Sequence, residues 1–197
     1  MKFKFYETLN AEFNTSDQEF TSKETANGNA SANKGKGRIP ALFKKIKLIQ
    51  NSLLFDYGCG KATTQARIEE FLEPYNIRYV GFDKYNQSKA EQDEAIKIIR
   101  ENDGADIATC ANVLNVIKER NIRVNEVIQN IYNFLKQNGT AYFDVYADKK
   151  QTNAKQTGSD KWQEFRAIDT YMDEVAEVFG ADNVALTKGI IVATKKR

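Results

Sequence analysis

From Ser52 onward, short apolar runs alternate with amphipathic stretches, and this alternation constrains the fold of the 197-residue chain more than any other feature. SLLFDY reads as a strand that runs into a Gly turn and then a helix to about Glu73, closed by Pro74. IRYVGFD is a second strand. Ser88 and Glu91 form a capping-box pattern that opens a helix to about Glu101, and Asn102-Asp103-Gly104 turns the chain into a third strand, ADIATCA. Val127, Ile128, Ile131, Phe134 and Leu135 share one face of the next helix, which Asn138-Gly139 is expected to terminate. TAYFDVYA is a fourth strand. The polar stretch DKKQTNAKQTGSD leads into a predicted helix holding Trp162, Phe165, Ile168, Met172 and Val175. NVALTKGIIVATKK closes the chain as a hairpin about Lys188-Gly189. Strands alternating with helices predict an α/β fold with a doubly wound, Rossmann-like, mostly parallel sheet, to which the hairpin adds antiparallel pairing. Ligands in such sheets bind outside the carboxyl ends of the strands, where strand order reverses.

Ahead of this core, TSKETANGNASANKGKG (21–37) is too polar to build one and reads as a loop or flexible arm; Ile39-Pro40 then opens a short helix. The expected organisation is a flexible arm or lid over 1–38 and one domain over 39–197, with no internal repeat. Between Thr25 and Phe55 the basic residues Lys34, Lys36, Arg38, Lys44, Lys45 and Lys47 occur without an acid. Such a stretch suits phosphates or a protein partner, and equally a solvated helix face beside a loop. Net charge is only +2, so the chain as a whole does not read as a nucleic-acid binder.

Composition removes several function classes. The chain has no His, which excludes Ser-His and Cys-His catalysis and the commonest metal ligand. Cys59 and Cys110 are too few for a disulfide framework or a zinc site and read as reduced thiols near core strands. No apolar run reaches the roughly 18–20 residues of a bilayer span, and MKFKFYETLNAEF lacks a signal peptide's apolar stretch. The expectation is a cytoplasmic protein with no membrane partner and no metal.

The chemistry gathers at the strand ends. Asp56-Tyr57-Gly58-Cys59-Gly60 ends the first strand, and the glycines permit a tight turn with close approach of a ligand to the backbone. Asp56 ends an otherwise apolar run and needs a partner. Asp83, 25 residues after Gly58, is placed to accept the hydroxyls of a ribose. Asn112-Val113-Leu114-Asn115 follows the third strand at the mouth of the same cleft. A nicotinamide-binding fingerprint would want Gly at position 63, where Thr63 stands.

FDYGCGKA resembles motif I of the class I S-adenosylmethionine (SAM)-dependent methyltransferases, and YVGFDKYN resembles their ribose-binding motif. GFDKYN followed by CANVLNVIKE is similar to small methyltransferase-like proteins of phages and mobile elements, with a related segment in methyltransferases associated with DNA phosphorothioation. DKWQEFR and ASANKGKGRIPALFKKI also resemble the phage-type group, so the likeness runs from about Ala30 to Lys196. The resemblance implies SAM as cofactor, with Asp56, Gly58 and Gly60 along its methionine side, Asp83 on the ribose, Lys84 and Tyr85 beside the adenine, and Asn112 closing the site. Ala62 stands where many members carry a third Gly, which implies weaker binding. The helix from Ser88 leads straight to ADIATCA, so a reduced class I fold of about six strands is expected. Neither an Asp/Asn-Pro-Pro-Tyr motif nor a Pro-Cys nucleophile is present, which argues against DNA base methylation. Candidate acceptor-side residues are Tyr57, Tyr146, Trp162 and Arg166, with Gln163 beside them and Arg166 as a clamp for a carboxylate or phosphate. The alternative is a catalytically silent methyltransferase-fold protein acting as a phage-type binding or inhibitor protein.

Overall fold

A computed structural model describes residues 39–60, 64–147, 155–158 and 161–196. The expected arm over 1–38 lies outside the described residues. A 3-10 turn (Ala41–Lys44) precedes strand β1 (Leu53–Tyr57), helix α1 (Gln65–Leu72), β2 (Arg78–Phe82), α2 (Lys89–Glu101) and β3 (Ala105–Ala111). Helix α3 runs on through Arg120–Ile122, a π-type segment Arg123–Ile128 and Gln129–Phe134. β4 (Leu135–Asp144), β5 (Lys155–Gly158), β6 (Lys161–Gln163), α4 (Met172–Phe179), β7 (Val184–Thr187) and β8 (Ile190–Thr194) complete the order.

Six strands form one sheet in the order β2-β1-β3-β4-β8-β7, and β5-β6 form a separate hairpin. β2, β1, β3 and β4 are parallel; β8 runs antiparallel to β4 and to β7. This is the mostly parallel, doubly wound sheet with a C-terminal antiparallel pair that the alternation predicts. Right-handed crossovers explain its two layers. The step from β1 to β2 moves one way across the sheet, and the step from β2 to β3 passes back over β1. The helices of the two steps therefore fall on opposite faces. Ile68 and Leu72 of α1 share a core with Leu42, Phe43, Leu54 and Ile107. Ile96 and Ile99 of α2, Val127 and Ile131 of α3 and Val175 of α4 share the other with Phe55, Phe82 and Phe143. β1 is buried on both faces, as a central parallel strand must be.

Local chemistry accounts for the joints. Ser88 and Glu91 complete the capping box of α2. Lys188 and Gly189, both at positive φ, make the β7-β8 turn of a type that suits the twist of a hairpin. Two element boundaries differ from the sequence pattern. The third helix ends at Phe134, not at Asn138-Gly139: Leu135 is extended (φ −76°, ψ 142°) and pairs with Ala105 in β4. Asn138-Gly139 instead marks the irregularity where register shifts between Ala105 and Ile107. A Cβ on Gly139 would stand 2.9 Å from the Lys136 carbonyl oxygen and 3.0 Å from that of Ala105, so glycine is needed for close backbones and not for a helix cap. Trp162 lies on β6, opposite Gln156, rather than in the last helix. Ala167 is extended (φ −65°, ψ 153°), which confines helical structure to Ile168 onward.

Candidate functional site at the carboxyl ends of the strands

Strand order reverses between β1 and β3, and the glycine turn after β1 stands at that point. Gly58 and Cys59 both donate backbone hydrogen bonds to the Phe82 carbonyl, at 2.7 and 3.2 Å, which ties the turn to the end of β2. The two glycines have different reasons to be there. At Gly58 (φ +81°) a Cβ would overlap Val113 Cγ2, so packing excludes any side chain. At Gly60 (φ +71°) a Cβ would meet no atom of the described residues within 4 Å.

Asp83 follows β2 and ties the glycine turn to the loop that comes after it. Its Oδ2 accepts from the Gly60 N–H at 2.9 Å. Its Oδ1 accepts from the backbone N–H groups of Tyr85 (2.9 Å) and Asn86 (2.8 Å) and from Asn86 Nδ2 (3.0 Å). Gln87 accepts from the Asp83 N–H, and Gln92 donates to the carbonyls of Asp83, Lys84 and Gln87. The 83–87 loop is thus fixed from beneath by Gln92. Its sequence signal was a Gln on the apolar stripe of α2, with Ala95, Ile96 and Ile99. Lys84 pairs with Glu126 of the π segment at 3.4 Å and lies 5.9 Å from the Tyr85 ring centre. Asn112, at positive φ, joins β3 to β4: its N–H donates to the Asp144 carbonyl and its Oδ1 accepts from the Tyr146 N–H at 2.7 Å.

Asp56 finds its partners inside the sheet. Thr109 Oγ1 donates to one carboxylate oxygen at 2.7 Å and the Tyr79 hydroxyl to the other at 2.9 Å. Burial pushes this carboxyl up to about 6 against the pull of those two hydroxyls, and the charge of Asp83 adds to the rise. Sequence reading missed both partners, although Thr109 interrupts the apolar run of β3 directly opposite Asp56. Burial likewise pushes the Cys59 and Cys110 thiols up, away from nucleophilic character.

The acceptor-side candidates divide. Tyr57 is buried in the core beside Phe55 and Phe82, and burial raises its phenol above the ordinary value. Tyr146 is 56% exposed and stands edge-to-face with Phe165 at 6.3 Å. Trp162 lies under the Lys118 ammonium, 5.3 Å from its ring centre. Arg166 is engaged by Glu164 (2.6 Å) and Glu174 (2.8 Å) and stacks on Tyr171 at 3.6 Å, so its guanidinium serves the fold. Glu174 also receives two bonds from buried Arg123, which donates in addition to the carbonyls of Ile117 and Lys118. Of the basic segment, Lys44 and Lys47 are exposed and Lys45 pairs with Asp144 at 3.0 Å; Lys34, Lys36 and Arg38 lie outside the described residues. Among the described residues no helix is long and apolar enough to cross a membrane.

No protein-family model and no curated protein matches the chain. Solved structures with similar backbones are SAM-dependent methyltransferases in the main. SibL, a SAM-dependent methyltransferase, aligns at TM-score 0.46 and 13% identity over 74% of this chain and 50% of its own, so the chain spans half of that protein. The Burkholderia thailandensis 1,6-didemethyltoxoflavin-N1-methyltransferase, solved with S-adenosylhomocysteine, aligns at 0.48 and 15% over 75% and 72%. The [4+2]-cyclase SpnF aligns at 0.45 and 13% over 70% and 54%.

Proposed function

We propose that the chain is a SAM-dependent methyltransferase of unassigned acceptor, akin to the phage and mobile-element group and working in the cytoplasm of a bacterial or phage-infected cell. The observation that carries this reading is the Asp83–Gly60 hydrogen bond at the switch point. Among the described residues no atom lies within 4 Å of the Cβ position of Gly60, a side from which a ligand can approach the backbone. Asp83 Oδ1 holds the 84–86 turn, which leaves Oδ2 for a ribose hydroxyl beside its bond to Gly60. In this assignment Gly58 and Gly60 border the methionine side, Asp56 lies beneath them, Lys84 and Tyr85 flank the adenine, and Asn112 closes the third-strand side. Bound there, SAM supplies a methyl group already activated on a sulfonium.

The chain's own residues then have alignment as their task, with no covalent part to play. That division fits the side chains present: no His exists, and both thiols are held up by burial. A thermal-unfolding series separates this reading from a nicotinamide protein. S-adenosylhomocysteine at a hundred times its Kd should add about 2.7 kcal/mol, on the order of 5–10 °C in Tm, and NAD should add nothing. The opposite ranking contradicts the proposal.

A further inference from the structure

Strand β7, Val-Ala-Leu-Thr, is an edge of the six-stranded sheet and among the described residues is hydrogen-bonded to β8 alone. Such an edge offers a row of unpaired N–H and C=O groups, which proteins commonly blunt with a charge, a proline or a bulge. The opposite edge, β2, begins on exposed Arg78. Between Val184 and Thr187 β7 has no charge and no proline, and its register with β8 is unbroken. Ala185, Leu186 and Thr187 are exposed, Leu186 by 46%. The two-residue turn at Lys188-Gly189 makes Thr187–Ile190 the first hydrogen-bonded pair with β8. By alternation Ala185 also bonds to β8, while Val184 and Leu186 turn their backbone groups outward. Val184 packs against the core that holds Val175 and Phe179 of α4, and Leu186, two residues on, shares its face. Exposed Asp182 precedes the strand and exposed Lys188 follows it.

We propose that the partner of this edge is a second copy of the chain, β7 pairing antiparallel with β7 about a two-fold axis at Ala185, so that the two sheets join into one. The residues select that register. Outward-facing residues of antiparallel strands pair with one another. About Ala185 this sets Leu186 opposite the partner's Val184 and Lys188 opposite the partner's Asp182, and the two-fold axis repeats both contacts. The apolar pairs extend the face packed against α4, and the charged pairs join opposite signs. At the axis Ala185 meets the partner's Ala185 as a non-hydrogen-bonded pair, where side chains stand closest and small ones suit. Moving the axis to Val184 sets Asp182 opposite the partner's Leu186. Moving it to Leu186 sets Lys188 opposite the partner's Val184. Either shift loses both ion pairs. A pattern complementary to itself favours a second copy over an unrelated strand. β7 lies three strands from β3, so the clefts of both copies stay open, and the dimer does not depend on the reading of the cofactor site.

One four-residue strand per copy makes a small contact beside the roughly 1,200 Å² of a standard stable interface, so a reversible dimer with a Kd of about 10–100 µM is expected. Sedimentation equilibrium of the full chain, from about 1 to 500 µM, measures it. Leu186→Lys should weaken the dimer about tenfold or more. Lys188→Asp, which sets like charges opposite each other, and Asp182→Lys, which does the same, should each weaken it about three- to tenfold. The double exchange Asp182→Lys with Lys188→Asp restores opposite signs and should return the Kd to within about threefold of the original chain. Circular dichroism checks each fold, and the charge exchange carries the test should Leu186→Lys misfold. A chain that stays monomeric throughout overturns the proposal. So does a dimer that a folded Leu186→Lys chain retains at full strength, or one that the double exchange fails to recover.

Discussion

Gly58 and Gly60 share a left-handed backbone conformation and differ in what surrounds them, which sets different consequences for the same substitution. An added Cβ costs about 1–2 kcal/mol in that conformation at either position. At Gly58 it must also displace Val113, and overpacking adds about 1–3 kcal/mol. Gly58→Ala should therefore lose about 2–5 kcal/mol in urea unfolding and Gly60→Ala about 1–2, with the latter felt more in cofactor affinity. Equal losses at the two sites would contradict the packing described. Asp56 yields a pH dependence whose sign follows from its raised value. A carboxyl at about 6 in the folded chain against 3.8 when unfolded binds more protons folded than unfolded between those values. Stability is then highest below about pH 4 as far as this group is concerned, and it falls as pH rises toward and past 6, by about 3 kcal/mol in all. Asp56→Asn should flatten that decline between pH 4 and 7 in a series of Tm measurements; an unchanged slope would show that Asp56 does not titrate there. Asp56, Gly58, Gly60 and Asp83 were legible as a set because loops and strand ends spell them locally. Thr109 and Tyr79 were not, because their bonds to Asp56 arise from pairings across strands that no local spacing encodes.

At the scale of elements, exposure rather than distance decides which ion pairs matter. Arg120–Glu177 (2.6 Å) and Arg123–Glu174 (2.7 Å) are equally short. The first pair is half exposed, and the second is 5% exposed on each side. Glu177→Ala should cost at most about 1 kcal/mol. Glu174→Leu strands the Arg123 guanidinium in the core and should cost about 3–5 kcal/mol. Chemical denaturation of both variants checks the contrast, and comparable losses would contradict it. Because Arg123 also holds the carbonyls of Ile117 and Lys118, and Glu174 reaches Arg166, this cluster fastens the π segment, the loop after β3 and the segment after β6 to α4. The six strands of the main sheet, α1, α2 and the final hairpin were readable from period and caps, whereas β5 and β6 fell in a stretch read as a polar segment and a helix start. Asn138-Gly139 misled because an Asn-Gly pair serves a bulge as well as a helix end. Trp162 misled because an apolar residue at helical spacing is indistinguishable from one on a short hairpin until Ala167 is seen to be extended.

For the whole molecule, the parallel sheet with a reversal between β1 and β3 follows from alternation plus right-handed crossovers, and so does the location of the cleft. What alternation does not specify is how β6, α4 and the loop after β3 meet, which is settled by contacts of 50 residues or so in sequence separation. The central claim concerns the cofactor cleft alone, and calorimetric titration of the full chain with S-adenosylhomocysteine tests it most directly, beside Asp83→Asn and Gly60→Val. Saturable one-to-one binding that weakens at least about tenfold in both variants, with their folds intact, is the predicted result. No heat of binding from well-folded wild-type chain, or binding that both variants retain, would contradict it.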